Sequence, residues 1–130
     1  MNETLKQRWG GMLPQVGDWG QSLNHPHKFT DHNSLPSSYG SFDPIPLTRE
    51  VLERIEEAGP VYIPQPNFGE ENIESRFCGL DGKYLFKIRI YPNQESHLII
   101  GDRGLETPSL HHLQQLYRLL TGGQELTYQP

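Results

Sequence analysis

The stretch Ser109-Leu-His-His-Leu-Gln-Gln-Leu-Tyr-Arg-Leu-Leu-Thr-Gly122 decides the fold, because it predicts a helix with one apolar side. Its apolar residues recur at the three- and four-residue spacing of a single helix face. Thr107 or Ser109 is the expected N-cap, and the two glycines from Gly122 onwards end the helix. Such a helix buries its apolar side against a second layer of the fold. The residues of that side are Leu110, Leu113, Leu116, Tyr117 and Leu120.

A second helix is predicted upstream by Pro44-Ile-Pro-Leu-Thr-Arg-Glu-Val-Leu-Glu-Arg-Ile55. Thr48 is a favourable N-cap, and Glu50 places a negative charge in the first turn, where the helix dipole favours it. Gly59 followed by Pro60 is a stop signal. We therefore expect a helix over residues 48–58. Its buried stripe consists of Val51, Leu52, Ile55 and Ala58.

The segment between the two helices carries the clearest β-strand signal. Residues 76–80 and 83–91 flank Asp81-Gly82. An Asp-Gly pair between two strands favours a type I′ hairpin turn, because both central residues of that turn need a positive φ. Apolar and basic residues then alternate, so one sheet face is expected to be core and the other partly solvated. The apolar residues are Tyr84, Phe86, Ile88 and Ile90, and the basic residues are Lys83, Lys87 and Arg89.

Shorter strand signals complete the sheet at residues 61–63 and 97–100, and residues 125–128 are expected to return as an edge strand. The predicted fold class is therefore α+β, with a small antiparallel sheet of three to five strands and two helices on one face. This α+β domain covers residues 44–130.

Residues 1–43 show neither the helical nor the strand period, because their aromatic residues are separated by Gly, Pro, Asn, Ser and His. We expect an irregular N-terminal arm. Aromatic side chains on such an arm are typical anchors of protein interfaces. The candidate anchors are Trp9, Trp19, Phe29, Tyr39 and Phe42.

The composition limits the function classes. The chain has 130 residues and a formal net charge of −5, which disfavours nucleic acid as a partner. Cys78 is the only cysteine, so one chain forms neither an internal disulfide nor a Cys-based zinc site. No apolar run reaches the length of a membrane span, and the N-terminus lacks the apolar core of an export signal. We expect a cytoplasmic protein, and the residues indicate no particular cofactor.

The helix phrases resemble a family of short, uncharacterised proteins common in Bacteroidetes genomes and prophage-like elements. Its members carry a Pro-Ile-Pro-Leu-Thr phrase, here residues 44–48, and a C-terminal helix with a Leu-Gln-Gln/Asn-Leu-Tyr core, here residues 113–117. Leu-Thr-Gly follows at residues 120–122, and residues 16–19 look like the family's opening phrase. The resemblance implies no active site. Its link to mobile elements implies a protein that binds a host or phage factor.

A histidine-rich segment is the candidate metal site. Imidazoles two residues apart in an extended segment point to the same side, and a following Asp-His pair adds further nitrogen and oxygen ligands for zinc or nickel. The alternative is a solvated polar loop, since the spacing matches no established ligand motif. The candidate ligands are His25, His27, Asp31 and His32.

Other reactive residues are assigned structural roles. His111 is expected to point away from the core and His112 to lie on the helix flank, both at the surface. Cys78 is expected to be a buried thiol in a strand, although a base such as His97 across the sheet would make it a nucleophile candidate. Neither a phosphate-binding loop nor a paired carboxylate site is found.

Three functions remain open. The leading hypothesis is a small binding or adaptor protein that acts through contacts with a protein partner or with itself, because no catalytic constellation is present. The first alternative is a metal-binding protein or metal-dependent enzyme that uses the histidine-rich segment. The second alternative is a nucleic-acid binder that uses the basic row Lys83, Lys87 and Arg89. The same row is also typical of the solvated face of a sheet.

Overall fold

The computed structural model describes residues 7–30, 42–65, 70–93, 95–106 and 108–130. It confirms the α+β fold, with two antiparallel sheets and two helices among these residues. In chain order the elements are β1 (Trp19–Ser22), β2 (His25–Lys28), β3 (Asp43–Pro44), α1 (Arg49–Glu53), β4 (Val61–Gln65), β5 (Glu70–Cys78), β6 (Tyr84–Ile90), β7 (Ser96–Ile100), β8 (Arg103–Glu106) and α2 (Leu110–Thr121).

The larger sheet has the strand order β4-β5-β6-β7-β8, and every neighbouring pair is antiparallel. The alternation predicted for β6 is confirmed for Phe86, Ile88 and Ile90, which are all buried. Tyr84 differs and is half exposed, because the strand register shifts beside it, between Phe77 and Cys78. The buried side of this sheet and the two helices share one hydrophobic core.

Helix α1 is shorter than the predicted 48–58. The Thr48 hydroxyl caps it by accepting a hydrogen bond from the Val51 N–H at 3.3 Å, as expected. Beyond Glu53 the backbone pairs with the C-terminal tail, because the Glu56 N–H donates to the Thr127 carbonyl instead of continuing the helix. The predicted edge strand at 125–128 is therefore wrong. The tail forms a single bridge, between Tyr128 and Ile55, and lies against the end of α1.

The prediction of a type I′ turn at Asp81-Gly82 is also wrong. Gly82 has a φ of +79° but Asp81 does not have a positive φ, and the loop is longer, since Cys78 pairs with Tyr84. Two consecutive non-glycine residues with positive φ occur instead at Leu23 and Asn24, with φ of 51° and 67°. They join β1 to β2 as a two-residue hairpin loop. Leucine is rare in this conformation, which is why the sequence does not reveal the turn.

The smaller sheet, of order β2-β1-β3, contains the strands of the N-terminal region. The expectation of an irregular arm is thus wrong for residues 7–30. Trp9 and Phe29 have no more than 2% of their surface exposed and form a second small core, on which Leu13, Val16 and Phe42 pack. Gly20 is required beneath them, because a Cβ atom there would lie 2.9 Å from the Trp9 ring.

Candidate functional site

Helix α2 is buried on two sides, one apolar and one polar. Leu110, Leu113 and Tyr117 face the main core. The opposite side carries five polar residues that bind residues 9–19, four of them through the backbone and Arg118 through the Asp18 carboxylate. These polar residues are His111, His112, Gln114, Gln115 and Arg118. Together they form a cluster of titratable and hydrogen-bonding side chains between α2 and the N-terminal segment.

The His111 ring is buried between the N-terminal segment and the helix. Its Nε2 lies 2.9 Å from the Trp9 carbonyl oxygen and 2.6 Å from the Met12 carbonyl oxygen. Because carbonyls only accept, Nε2 carries the proton and donates it. Burial, together with the neighbouring His112 ring, lowers the pKa of His111 to about 4. The ring is therefore neutral at pH 7 and acts as a hydrogen-bond donor.

His112 binds the backbone on both sides of its ring. Nδ1 accepts a hydrogen bond from the Ser109 N–H at 2.9 Å, so Nε2 is the donor to the Gly10 carbonyl at 3.2 Å. Gly10 has a φ of +70°, and a Cβ atom there would lie 2.6 Å from the ring. The predicted surface positions of His111 and His112 are wrong, because the N-terminal segment covers the helix side that the apolar stripe leaves free.

Gln114 continues the contact towards β1. Its Oε1 accepts from the Trp19 N–H at 2.9 Å, and its Nε2 donates to the Gly17 carbonyl at 3.0 Å. Gln115 donates to the Leu13 carbonyl at 2.8 Å. One side chain after another thus satisfies backbone groups of a segment that has few regular partners of its own.

Asp18 is the fully buried acid of this contact. It accepts hydrogen bonds from the Gln15 N–H at 2.8 Å and from Gln115 Nε2 at 2.7 Å, and it is paired with Arg118. Burial raises the pKa of the Asp18 carboxyl, and the hydrogen bonds and the Arg118 charge oppose that rise. Arg118 also binds Glu125 at 2.8 Å. Because Asp18 and His111 have no exposed surface, no substrate reaches them, and this cluster serves the fold.

This cluster predicts a pH dependence of stability. The folded-state pKa of His111 is about 4, below its ordinary 6.5, so the unfolded chain takes up a proton first as the pH falls. Protonation of His111 therefore leaves the free energy of unfolding unchanged above pH 6.5. As the pH falls from 6.5 to about 4, it lowers the free energy of unfolding by about 3 kcal/mol. Urea unfolding at several pH values measures it.

The matched variants for this pH prediction are His111→Gln, which keeps an N–H donor without titrating, and His25→Gln, which changes an exposed histidine of β2. His112 has a pKa shift in the same direction and is present in both variants. We expect a smaller loss of stability towards low pH in His111→Gln only. If the free energy of unfolding depended on pH equally in the unmodified chain and in His111→Gln, His111 would not be the source of the pH dependence.

The candidate metal ligands are only partly described. His25 and His27 are exposed in β2, and the His27 ring stacks on Phe42 with 4.5 Å between ring centroids. Asp31 and His32 lie outside the described residues. No group of three or more potential ligands converges within residues 7–30, 42–65, 70–93, 95–106 and 108–130. The metal site stays a prediction.

The predicted basic row is partly paired on the sheet face that points away from the helices. Lys87 and Arg89 both bind Glu74, with N–O distances of 3.4 and 3.2 Å, and Arg76 approaches the same carboxylate at 3.8 Å. Their proximity lowers the pKa of Glu74 against the effect of its burial. Lys83 lies outside β6, in the loop before it. Nucleic-acid binding by this row stays a prediction.

The remaining predicted residues have varied positions. Trp19 is half-buried and packs edge-on against Tyr128, at 5.2 Å between ring centroids. Trp9 and Phe29 are core residues and offer no exposed contact surface. Tyr39 lies outside the described residues. Cys78 is exposed, which corrects the expectation of a buried thiol.

A cavity with a volume of about 640 Å³ opens between the β5–β6 loop and the C-terminal end of α2. Its apolar lining includes Leu80, Tyr84, Ile100 and Leu120, and all four side chains are exposed. Leu119, next to Leu120 on the helix, is 78% exposed. We call Leu80, Tyr84, Ile100, Leu119 and Leu120 the apolar end of the molecule. Sequence reasoning missed it, because it assigned Tyr84 and Leu120 to the core.

No protein-family model, curated protein or solved structure matches this chain. None of the helices in the described ranges has the length and apolar character required to cross a membrane.

Proposed function

We propose that this protein is a small binding or adaptor protein that acts through protein–protein contacts at its apolar end. The observation that carries the proposal is the exposure of four large apolar side chains around one cavity, Leu80, Tyr84, Ile100 and Leu120, with the exposed Leu119 next to Leu120 on the helix. Folded monomers rarely leave a contiguous apolar patch of this kind on the surface unless it is an interaction site.

The shape of the patch favours a protein over a small molecule. A small ligand fills a cavity, but Leu80 is 87% exposed, and Leu119, which does not line the cavity, is 78% exposed. Only a larger partner covers both the cavity and these two side chains. Large apolar side chains on the partner fit the cavity, as anchor residues do at protein interfaces.

A polar group at the cavity adds a requirement for the partner. Gln124 lines the cavity, and its Oε1 is buried without a hydrogen-bond partner among the described residues. A rotation of the Gln124 side chain towards the cavity would let an amide N–H on the partner satisfy this oxygen. Asp81 and Lys83 lie on the same lining with opposite charges, so the site selects for apolar contact and hydrogen bonding more than for net charge.

The resemblance to short proteins of Bacteroidetes and prophage-like elements supports a protein of phage or mobile-element origin. Such a protein would bind a host or phage factor. The interface anchors expected on the N-terminal region are replaced in this proposal by the apolar end, because Trp9 and Phe29 are buried.

Site-specific photo-crosslinking tests the proposal. A photoreactive amino acid at Leu80 is expected to give a defined protein adduct in a lysate of the source cells, whereas the same group at Leu23, which is 90% exposed in the β1–β2 turn, gives none. The identified partner is then purified and its affinity measured by calorimetry. We expect Leu80→Glu and Leu119→Glu each to raise the dissociation constant at least roughly tenfold.

Thermal unfolding of the two variants is the control, because both side chains are exposed and their replacement is expected to leave stability within about 0.5 kcal/mol. Equal adducts at Leu80 and Leu23, or unchanged affinity of both variants for the purified partner, would refute the proposed surface.

A further inference from the structure

The two edge strands of the larger sheet, β4 and β8, differ in their capacity to pair with a further strand. β4 contains Pro64, which has no N–H to offer to a further strand. β8, at the other edge, contains no proline, and all four of its residues are exposed. No described strand pairs with its outer side. β8 therefore presents unpaired backbone groups to a strand of another molecule.

The β7–β8 hairpin fixes which backbone groups are free. Ile100 pairs with Arg103 across a two-residue turn, which makes them a hydrogen-bonded pair. Hydrogen-bonded and non-hydrogen-bonded pairs alternate along an antiparallel ladder. Arg103 and Leu105 thus direct their N–H and C=O groups towards β7, whereas Gly104 and Glu106 direct theirs outwards.

A second copy of β8 fits this edge in one of two central registers. When a two-fold axis perpendicular to the sheet relates two strands, opposite residues point to the same side, so the axis passes midway between one residue and its own copy. An axis at Gly104 brings Asp102 opposite Glu106 of the second copy, and these acids repel each other. An axis at Leu105 brings Gly104 opposite Glu106 in both directions, so the outward groups form four backbone hydrogen bonds.

We infer that two copies of this chain associate through β8 in the second register, with Leu105 of one copy opposite Leu105 of the other. Leu105 pairs with the buried Leu98 on the core side of the sheet and is 42% exposed. The association continues this apolar row across both molecules. β8 itself carries one Arg and one Glu, so its net charge is zero although that of the chain is −5.

Analytical ultracentrifugation over roughly a hundredfold range of protein concentration, up to about 1 mM, tests the inference. We expect a monomer–dimer equilibrium for the unmodified chain. Leu105→Glu and Leu105→Lys each raise the dissociation constant roughly ten- to hundredfold, because they remove an apolar contact and place like charges opposite each other. Mixing these two variants restores the dimer, because opposite charges then meet at the axis.

Val61→Lys is the matched control, because it places the same charge on an exposed residue of the other edge strand. It is expected to keep the dissociation constant of the unmodified chain. A chain that stays monomeric at the highest concentration, Leu105 variants that dimerise as the unmodified chain does, or a mixture that remains monomeric would overturn the inference.

Discussion

Replacement of Trp9 by alanine is expected to lower the free energy of unfolding by about 3–5 kcal/mol, the usual cost of removing a fully buried large aromatic side chain. Trp9 has no exposed surface. Its ring meets Phe29 and His111 edge-on, with centroid distances of 6.1 and 5.2 Å. The substitution leaves a cavity between the N-terminal segment and α2, and it removes these aromatic contacts. Chemical denaturation followed by far-ultraviolet circular dichroism measures the change.

Leu23→Ala is the matched control for Trp9→Ala. Leu23 is also a large apolar residue of the N-terminal region, but it lies exposed in the β1–β2 turn. Its replacement is expected to change the free energy of unfolding by no more than about 0.5 kcal/mol. If Trp9→Ala were as mild as Leu23→Ala, Trp9 would be the exposed anchor of an arm, and the packing described above would be wrong.

The sequence predicts well those elements that carry their own local signals. Strand β6 alternates apolar and basic residues, and helix α2 has a clear apolar stripe bounded by Ser109 and Gly122. Both are found where expected, since periodicity and caps are properties of a short segment. The fold class follows from their order along the chain.

The N-terminal region could not be predicted in this way, because its partners lie about a hundred residues away. His111, His112 and Gln114 are polar residues on a helix, and polarity on a helix usually indicates solvent. Here they satisfy backbone carbonyls of residues 9–17. A buried polar side chain and an exposed one have the same sequence signature, so only the tertiary structure distinguishes them.

The apolar end was missed because here apolar residues are exposed, whereas the sequence pattern predicts that they are buried. Tyr84 and Leu120 follow the apolar period of β6 and α2, and periodicity assigned them to the core. The apolar stripe of α2 extends beyond the part of the sheet that covers it, and the register shift at Phe77 and Cys78 displaces the start of β6. The sequence therefore contains the apolar residues of the proposed interface, but it does not show that they are uncovered.

We expect residues 9–29 to unfold together with the larger sheet, as one cooperative structure. Three amide groups report on it. The Gly17 N–H donates to the Phe29 carbonyl at 2.6 Å, the Phe29 N–H to the Asp18 carbonyl at 2.9 Å, and the Trp19 N–H to Gln114 Oε1 at 2.9 Å. Because the polar side of α2 holds this segment, we expect these amides to open only when the whole domain unfolds.

Native-state hydrogen exchange measured by NMR shows whether the N-terminal segment opens with the sheet. We expect the Gly17, Trp19 and Phe29 amides to exchange with the same opening free energy as Ile88 in the central strand β6, about 5 kcal/mol or more. We also expect the same dependence on denaturant for all four amides. Exchange of the three N-terminal amides near the unprotected rate, while Ile88 stays protected, would contradict this expectation.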